Sequence, residues 1–416
     1  MNRNVVKTLS IILILLSVNV LSFAQNDTLR ICSYNLLNFD SVSGEDRVEY
    51  FRTVIDSIDP DILACQEIGS DAAADYFIEN ILDPEIWDRS SFTGVGYSDV
   101  VLFFKPSQLI IQEHHSVVTE LRNVEIFDLT IFGSNDFERL IIASTHLKAS
   151  SGSINENRRR MEVTSFLNYL DNNAGLPTSQ MMFCGDFNFY EASESGYQLL
   201  MNDGRFVDPI DREGEWHNNS WFADIHTQSP RTTSFGSGAT GGMDDRFDFI
   251  LAAPEFFDGQ EWEYIEGSYK AYGNDGDHFN QAINSGTNGV VAQNVADAIH
   301  NASDHLPVIM DVVKINSSSV EDENVEVPNN YLINEVYPNP FNSTVNVVLN
   351  LRNMIDVKVE IFNIQGRKVA RVHNGPLNAG IQKLSYSADR IPSGIYILQV
   401  EAVDGHKEFR KLAFMK

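Results

Sequence analysis

Cysteine is nearly absent from this chain. The three that occur, Cys32, Cys65 and Cys184, each sit inside an apolar run. An odd count without framework spacing excludes a disulfide-built scaffold. They read as buried free thiols packing as small hydrophobes, and the polar residues around them are carboxylates and amides, which suit hard cations. Positive charge is also scarce, with 30 Lys and Arg against 58 Asp and Glu, a net charge of -28. The deficit is uneven. From Glu335 onward there are 11 basic and 7 acidic residues, while the chain between Lys7 and Glu335 holds 17 basic and 51 acidic ones. So acidic a body repels polyanions at long range, which counts against a nucleic-acid substrate. Salt at ~0.1 M shortens that repulsion to about 10 Å. Long apolar runs are missing after the start, so no later stretch reads as a membrane span. Internal repeats are missing too.

What is present begins with an export signal. Arg3 and Lys7 precede an apolar stretch over 9–20, and Ser22-Phe23-Ala24 is a small-residue cleavage site, so residues 1–24 are expected to be a signal peptide. A length of 416 residues and 43% hydrophobic content support two folded units. Over 25–313, strands alternate with helices, as in a mixed α/β body. Apolar spacing predicts helices over 46–58 and 72–81 and one carrying Val163, Phe166, Leu167 and Leu170. The stretch 191–219 reads as irregular, and 234–242 as a Gly/Ser loop. Residues 314–331 read as a linker. Over 332–416, short alternating runs separated by turns predict a small all-β sandwich.

Five predicted strands end in polar residues: Asn35, Glu67, His146, Asp186 with Asn188, and the pair Asp304-His305. A sixth, Arg246-Phe247-Asp248-Phe249-Ile250, carries Asp248 within it. Any one of these is unremarkable as a turn or core residue. Together they supply what metal-assisted phosphoester hydrolysis needs: carboxylates for a divalent cation, histidines for proton movement, amides for a phosphate oxygen.

Taken in order, Asn35, Gln66-Glu67, His146, Gly185-Asp186-Phe187-Asn188, Arg246-Phe247-Asp248 and Ser303-Asp304-His305 resemble the endonuclease/exonuclease/phosphatase family that includes DNase I. The resemblance covers roughly residues 29–313. It implies a four-layered α/β sandwich and a secreted, divalent-metal-dependent phosphodiesterase. A nuclease acting on DNA or RNA is the leading form, and a phospholipid or small-phosphoester hydrolase the alternative. It implies Mg²⁺, with Mn²⁺ or Ca²⁺ as substitutes, held by Glu67, Asn35 and Asp304. Asp186 and Asn188 would handle nucleophile and phosphate. His305, steered by Asp248, resembles the general base, a role that Asp186 shares among family members. His146 resembles the proton donor or phosphate contact opposite, and the acidic partner that the family gives this histidine is here either Asp99 or missing. Tyr97, in Gly96-Tyr97-Ser98, resembles a phosphate-contacting turn, and Arg158 stands where a phosphate contact is expected.

The tail has its own signature. Tyr337-Pro338-Asn339-Pro340-Phe341-Asn342, Ile364-Gln365-Gly366-Arg367 and Pro392-Ser393-Gly394-Ile395-Tyr396 resemble the type A sorting domain of the type IX secretion system. That implies the secretion machinery as a partner and a final place outside the cell or on its surface.

Overall fold

Strict two-residue alternation in the central strands is what builds the layers. In β1 (Thr28–Phe39), Leu29 and Ile31 join one apolar cluster, while Cys32, Tyr34 and Leu36 join another on the opposite face. In β8 (Met181–Asp186), Met182 and Cys184 join the first cluster, and Met181 and Phe183 a third. A strand buried on both faces needs a layer on each side. The computed structural model supplies them as two packed sheets with helices outside both. It describes residues 28–40, 45–94, 99–132, 137–315, 333–339, 341–351, 354–363, 366–388, 391–402 and 407–415. The expected signal peptide, the linker beyond Ile315 and the turn with Tyr97 lie outside them.

One sheet contains β1, β2 (Ile62–Ile68), β3 (Asp88–Arg89), β4 (Asp99–Phe104), β10 (Trp262–Tyr264), β11 (Lys270–Ala271) and β12 (Val308–Lys314), in the order β10-β12-β1-β2-β4-β3 with β11 also on β12. The other runs β5 (Leu109–Val117), β6 (Val124–Phe132), β7 (Phe137–His146), β8, β9 (Asp248–Ala252). Helices α1 (Val48–Ile58), α2 (Asp71–Asn80) and α5 (Gln293–Ala302) cover the first sheet through Phe51, Phe77 and Ile299. Helices α3 (Ser153–Asn172) and α4 (Ser195–Asp203) cover the second through Phe166 and Leu200. Each such side chain contributes about 1.5–3 kcal/mol by leaving water. The result is the four-layered α/β sandwich.

Two elements depart from the expectations and one, β5, has no counterpart in them. The stretch read as irregular contains α4, a short helix whose buried apolar side chains are only Tyr197 and Leu200. The edge strand β5 carries Gln112, Glu113 and two histidines in its middle, so it lacks a strand's apolar texture. And β9 starts at Asp248 rather than containing it, which brings that carboxylate to a strand end like the others.

The tail is an antiparallel sandwich. The strands β13 (Ile333–Tyr337), β14 (Thr344–Leu351) and β17 (Gly380–Ser387) form one sheet. The other comprises β15 (Ile355–Asn363), β16 (Lys368–Leu377), β18 (Gly394–Ala402) and β19 (Lys407–Phe414). Val345, Val347, Val359, Ile361 and Leu398 fill the space between them.

Candidate active site

The polar strand ends meet because the strands that carry them are neighbours. β1 pairs parallel with β2 and antiparallel with β12, so the ends of β1 and β2 and the residues before β12 share one rim. β7 pairs parallel with β8, setting His146 opposite Asp186, and β9 pairs antiparallel with β8, setting Asp248 opposite Asp186. Alternation aims these side chains. Asn35, His146, Asp186 and Asp248 share the parity of the residues that fill the inter-sheet core, so all four open onto that space at its rim. Glu67 has the opposite parity. Its φ of 63° and a break in register on both sides of β2 turn it back toward Asn35. The glycine before Asp186 is required: a Cβ on Gly185 would lie 2.0 Å from Thr145 O, so β7 and β8 approach closely only without one.

Asp186 stands at the centre. Its Oδ2 accepts a hydrogen bond from Asn35 Nδ2 at 3.0 Å and lies 3.5 Å from His146 Nε2 and 3.6 Å from His305 Nε2. Its Oδ1 accepts from Asn188 N at 3.1 Å, and Asn188 Nδ2 donates to Leu147 O at 3.3 Å. Asn35 Nδ2 also donates to Glu67 Oε1 at 3.1 Å, while Asn35 Oδ1 accepts from Leu37 N. Glu67 Oε2 accepts from Asn38 N at 2.6 Å. His305 Nδ1 lies 2.7 Å from Asp248 Oδ2. The backbone N–H of Asp248 is held by Thr227 Oγ1, and Asp304 Oδ2 accepts from Ala239 N at 2.6 Å.

Electrostatics differ sharply among these neighbours. Burial pushes the Asp186 carboxyl up to about 7; the carboxylates of Asp248 and Glu67 add to the rise, and His305 opposes it. Burial works against charge on His305, yet Asp248, Asp186 and Asp304 overcome it and hold the ring well above the ordinary histidine value. His146 moves the other way. Burial, then the positive charges of Arg122, His305 and Lys148, hold it well below its ordinary value. Its Nδ1 is buried without a hydrogen-bond partner. Asp99 does not supply one: it bonds to Thr93 Oγ1 and its own strand's Val100 N.

The donor set fits a hard divalent cation. Glu67, Asp186, Asp248 and Asp304 offer carboxylate oxygens, and Asp248 Oδ1 and Asp304 Oδ1 are buried with no hydrogen-bond partner. Asp186, Asp248 and His305 present ligand atoms within 4.8 Å of one another. Asn35 turns its amide N–H groups to Glu67 and Asp186, so it holds two carboxylates in place through its donors. Arg158 is not part of this group: it pairs with Glu120 at 3.3 Å.

Several members carry no motif. Gln228 Nε2 lies 2.6 Å from His305 Nε2. Thr227, Ala239, Asn38 and Arg122, whose Nη1 donates to His146 O, are equally silent in sequence. Asn38 lies near the end of β1, and the others come from loops without a recognisable motif.

Among known proteins, solved structures of similar fold include the human Nocturnin catalytic domain, at 17% identity, with 70% of this chain and 96% of that one covered and a TM-score of 0.46. Humanized D. rerio TDP2 is 16% identical over 69% of this chain and 99% of its own, with a TM-score of 0.45. A Bacteroides thetaiotaomicron mannosyl-6-phosphatase is 14% identical over 68% and 99%, with a TM-score of 0.44. No curated protein matches the chain. Residues 335–414 match the secretion system C-terminal sorting domain, which directs export through the type IX system to the cell surface or extracellular space. Among the described residues no helix is long and apolar enough to cross a membrane. Residues 16–305 match the Endonuclease/Exonuclease/phosphatase family, and the chain belongs to that family of metal-dependent phosphoester hydrolases.

Proposed function

We propose that this protein is a divalent-metal-dependent phosphodiesterase that hydrolyses extracellular nucleic acid. The observation that carries the reading is the placement of Asp186, within 3.6 Å of Asn35, His146 and His305 at once. A carboxylate, a carboxylate-steered imidazole and a second imidazole around one point are the parts of a phosphoester-cleaving centre. Glu67 and Asp304 would hold the cation, Mg²⁺ being the hard ion that suits their oxygens, with Asn35 fixing Glu67. When bound, the ion supplies positive charge for the phosphate oxygens. Asp186, its charge stabilised by the His305 ring 3.6 Å away, takes the proton from the attacking water as its oxygen bonds to phosphorus and the ester P–O bond breaks, the leaving oxygen being protonated from solvent. Asp248 fixes which imidazole nitrogen faces that water. Asn188 orients Asp186 through its backbone N–H, and the neutral ring of His146 contacts the phosphate from the opposite side.

A second reading keeps the chemistry and exchanges the substrate for a phospholipid headgroup or small phosphoester. Two observations favour it: the acidic body repels long polyanions, and Arg158 is occupied by Glu120. Assaying DNA, RNA, sphingomyelin and bis(p-nitrophenyl) phosphate side by side, with Mg²⁺ and with EDTA, separates the two. Turnover of lipid alone would rule out the nuclease.

A further inference from the structure

His217 stands outside the group just described. Its Nδ1 lies 2.7 Å from Asp245 Oδ1, the same separation as between His305 Nδ1 and Asp248 Oδ2. The two pairs differ in exposure: the His217 side chain is 53% exposed, that of His305 4%. Tyr190 walls the His217 ring, with centroids 5.3 Å apart and planes at 70°. Tyr190 is itself fixed. Its backbone N donates to Glu194 Oε1, its ring packs on Phe247, and the Arg159 guanidinium lies 5.6 Å from it. His217 is thus pinned through Nδ1 and one flank, and among the described residues its Nε2 has no hydrogen-bond partner.

A short chain of contacts joins this residue to the reacting centre. Asp245 and Gln228 exchange backbone hydrogen bonds at 3.0 Å in both directions, and the Gln228 side chain touches His305 Nε2. Tyr190 is two residues beyond Asn188 and within electrostatic reach of both Asp186 and Asp245. His217 is thus linked to His305 through two residues, Asp245 and Gln228, with Gln228 in β-bridges to both Asp245 and His305. The neighbourhood is short of donors. Asp244 and Asp245 make the loop acidic, and nearby guanidinium groups are committed, Arg212 to Asp224 at 2.6 Å and Arg159 to Glu194 at 2.8 Å. An imidazole anchored by a carboxylate through one nitrogen presents the other to a ligand and, once protonated, donates to an anion.

We propose that His217, oriented by Asp245, binds the phosphate that flanks the scissile one, so that the site selects a phosphodiester chain over an isolated phosphoester. This rests on the phosphodiesterase reading above. The test uses the full chain with Mg²⁺ and compares kcat/KM for a dinucleotide bearing a 5′- or 3′-terminal phosphate with that for the same dinucleotide lacking it. The expected result is that the wild-type protein prefers one phosphorylated form. His217→Ala should reduce that preference about tenfold through KM, the size of one charge-assisted hydrogen bond, and His217→Lys should restore part of it. An unmoved preference, or an equal loss on both substrates, would overturn the proposal. So would a changed metal requirement in His217→Ala, which would instead assign a cation site to His217, Asp244 and Asp245, whose ligand atoms lie within 4.8 Å. A wild-type protein that cleaves none of the dinucleotides sinks the phosphodiesterase reading itself.

Discussion

Two x-Asp-His sequences in this chain, Gly276-Asp277-His278 and Ser303-Asp304-His305, end in histidines with the same spacing to a carboxylate and different surroundings. His278 Nδ1 lies 2.7 Å from Asp275 Oδ1, and His305 Nδ1 lies 2.7 Å from Asp248 Oδ2. Around His278 every polar atom is answered. Its Nε2 meets Ser285 O at 2.8 Å, and Asp275 accepts from Asp277 N and Gly289 N. Around His305 the network is open at its carboxylates: Asp248 Oδ1 and Asp304 Oδ1 have no partner, while Nε2, met by Gln228 Nε2 at 2.6 Å, lies 3.6 Å from Asp186 Oδ2. A closed network fixes a loop, whereas an open one keeps hydrogen-bonding capacity for something that is not protein. Unpaired buried oxygens cost stability, and a fold carries that cost where the group serves another purpose.

Substitution at the two histidines should break the comparison most widely. His305→Ala is expected to lower kcat/KM by about 10²–10⁴-fold, and Glu67→Ala to do likewise, with the thermal transition retained in both. His278→Ala should leave turnover at the wild-type level. Equal activity losses at His278 and His305 would erase the distinction.

Asp186→Asn sharpens the cost argument. Its carboxyl is raised to about 7, so the fold favours the protonated form. The stability this group contributes is complete below the ordinary carboxylate range and falls as pH rises through about 7. In chelator at pH 8 the asparagine variant should therefore melt about 2–4 °C higher than wild type while losing activity. A lower Tm would show that Asp186 is there for stability.

The smallest effect lies in the closed pair. His278→Ala should cost about 1–3 kcal/mol, read by urea unfolding. The His278 ring is raised above its ordinary value and the Asp275 carboxyl lowered below its own. The histidine's contribution is lost as pH climbs through its raised value. The aspartate's is lost as pH falls below the carboxylate range. The deficit of the variant should thus be widest in mild acid and narrow in alkali, and a deficit independent of pH would contradict this assignment.

Much of the candidate site was legible because its polar side chains sit at strand ends, where an apolar run followed by Asn, Glu, His or Asp stands out. Alternation then foretells which face each takes, and it does so correctly for Asn35, His146 and Asp186. Glu67 escapes that logic, since a left-handed backbone at one residue reverses its aim and nothing in Cys65-Gln66-Glu67 announces it. Gln228, Thr227 and Ala239 were silent for another reason. Loop residues reach the site through long-range packing, Ala239 meeting Asp304 across 65 residues of chain. The contrast between His278 and His305 was hidden in the same way. Asp275 is three residues from its histidine and Asp248 is 57 away, so only the fold reveals that one pair is closed and the other open.

The account's central claim is that the open His305 network is a metal-dependent phosphodiester-cleaving centre. The most direct test is the rate at which the purified protein and its His305→Ala variant cleave a single-stranded oligonucleotide and bis(p-nitrophenyl) phosphate, in Mg²⁺ and after EDTA. The account predicts cleavage by the wild type that EDTA abolishes and that the variant loses at least about a hundredfold. Wild-type cleavage that persists in EDTA, or a variant that cleaves at the wild-type rate, would contradict it.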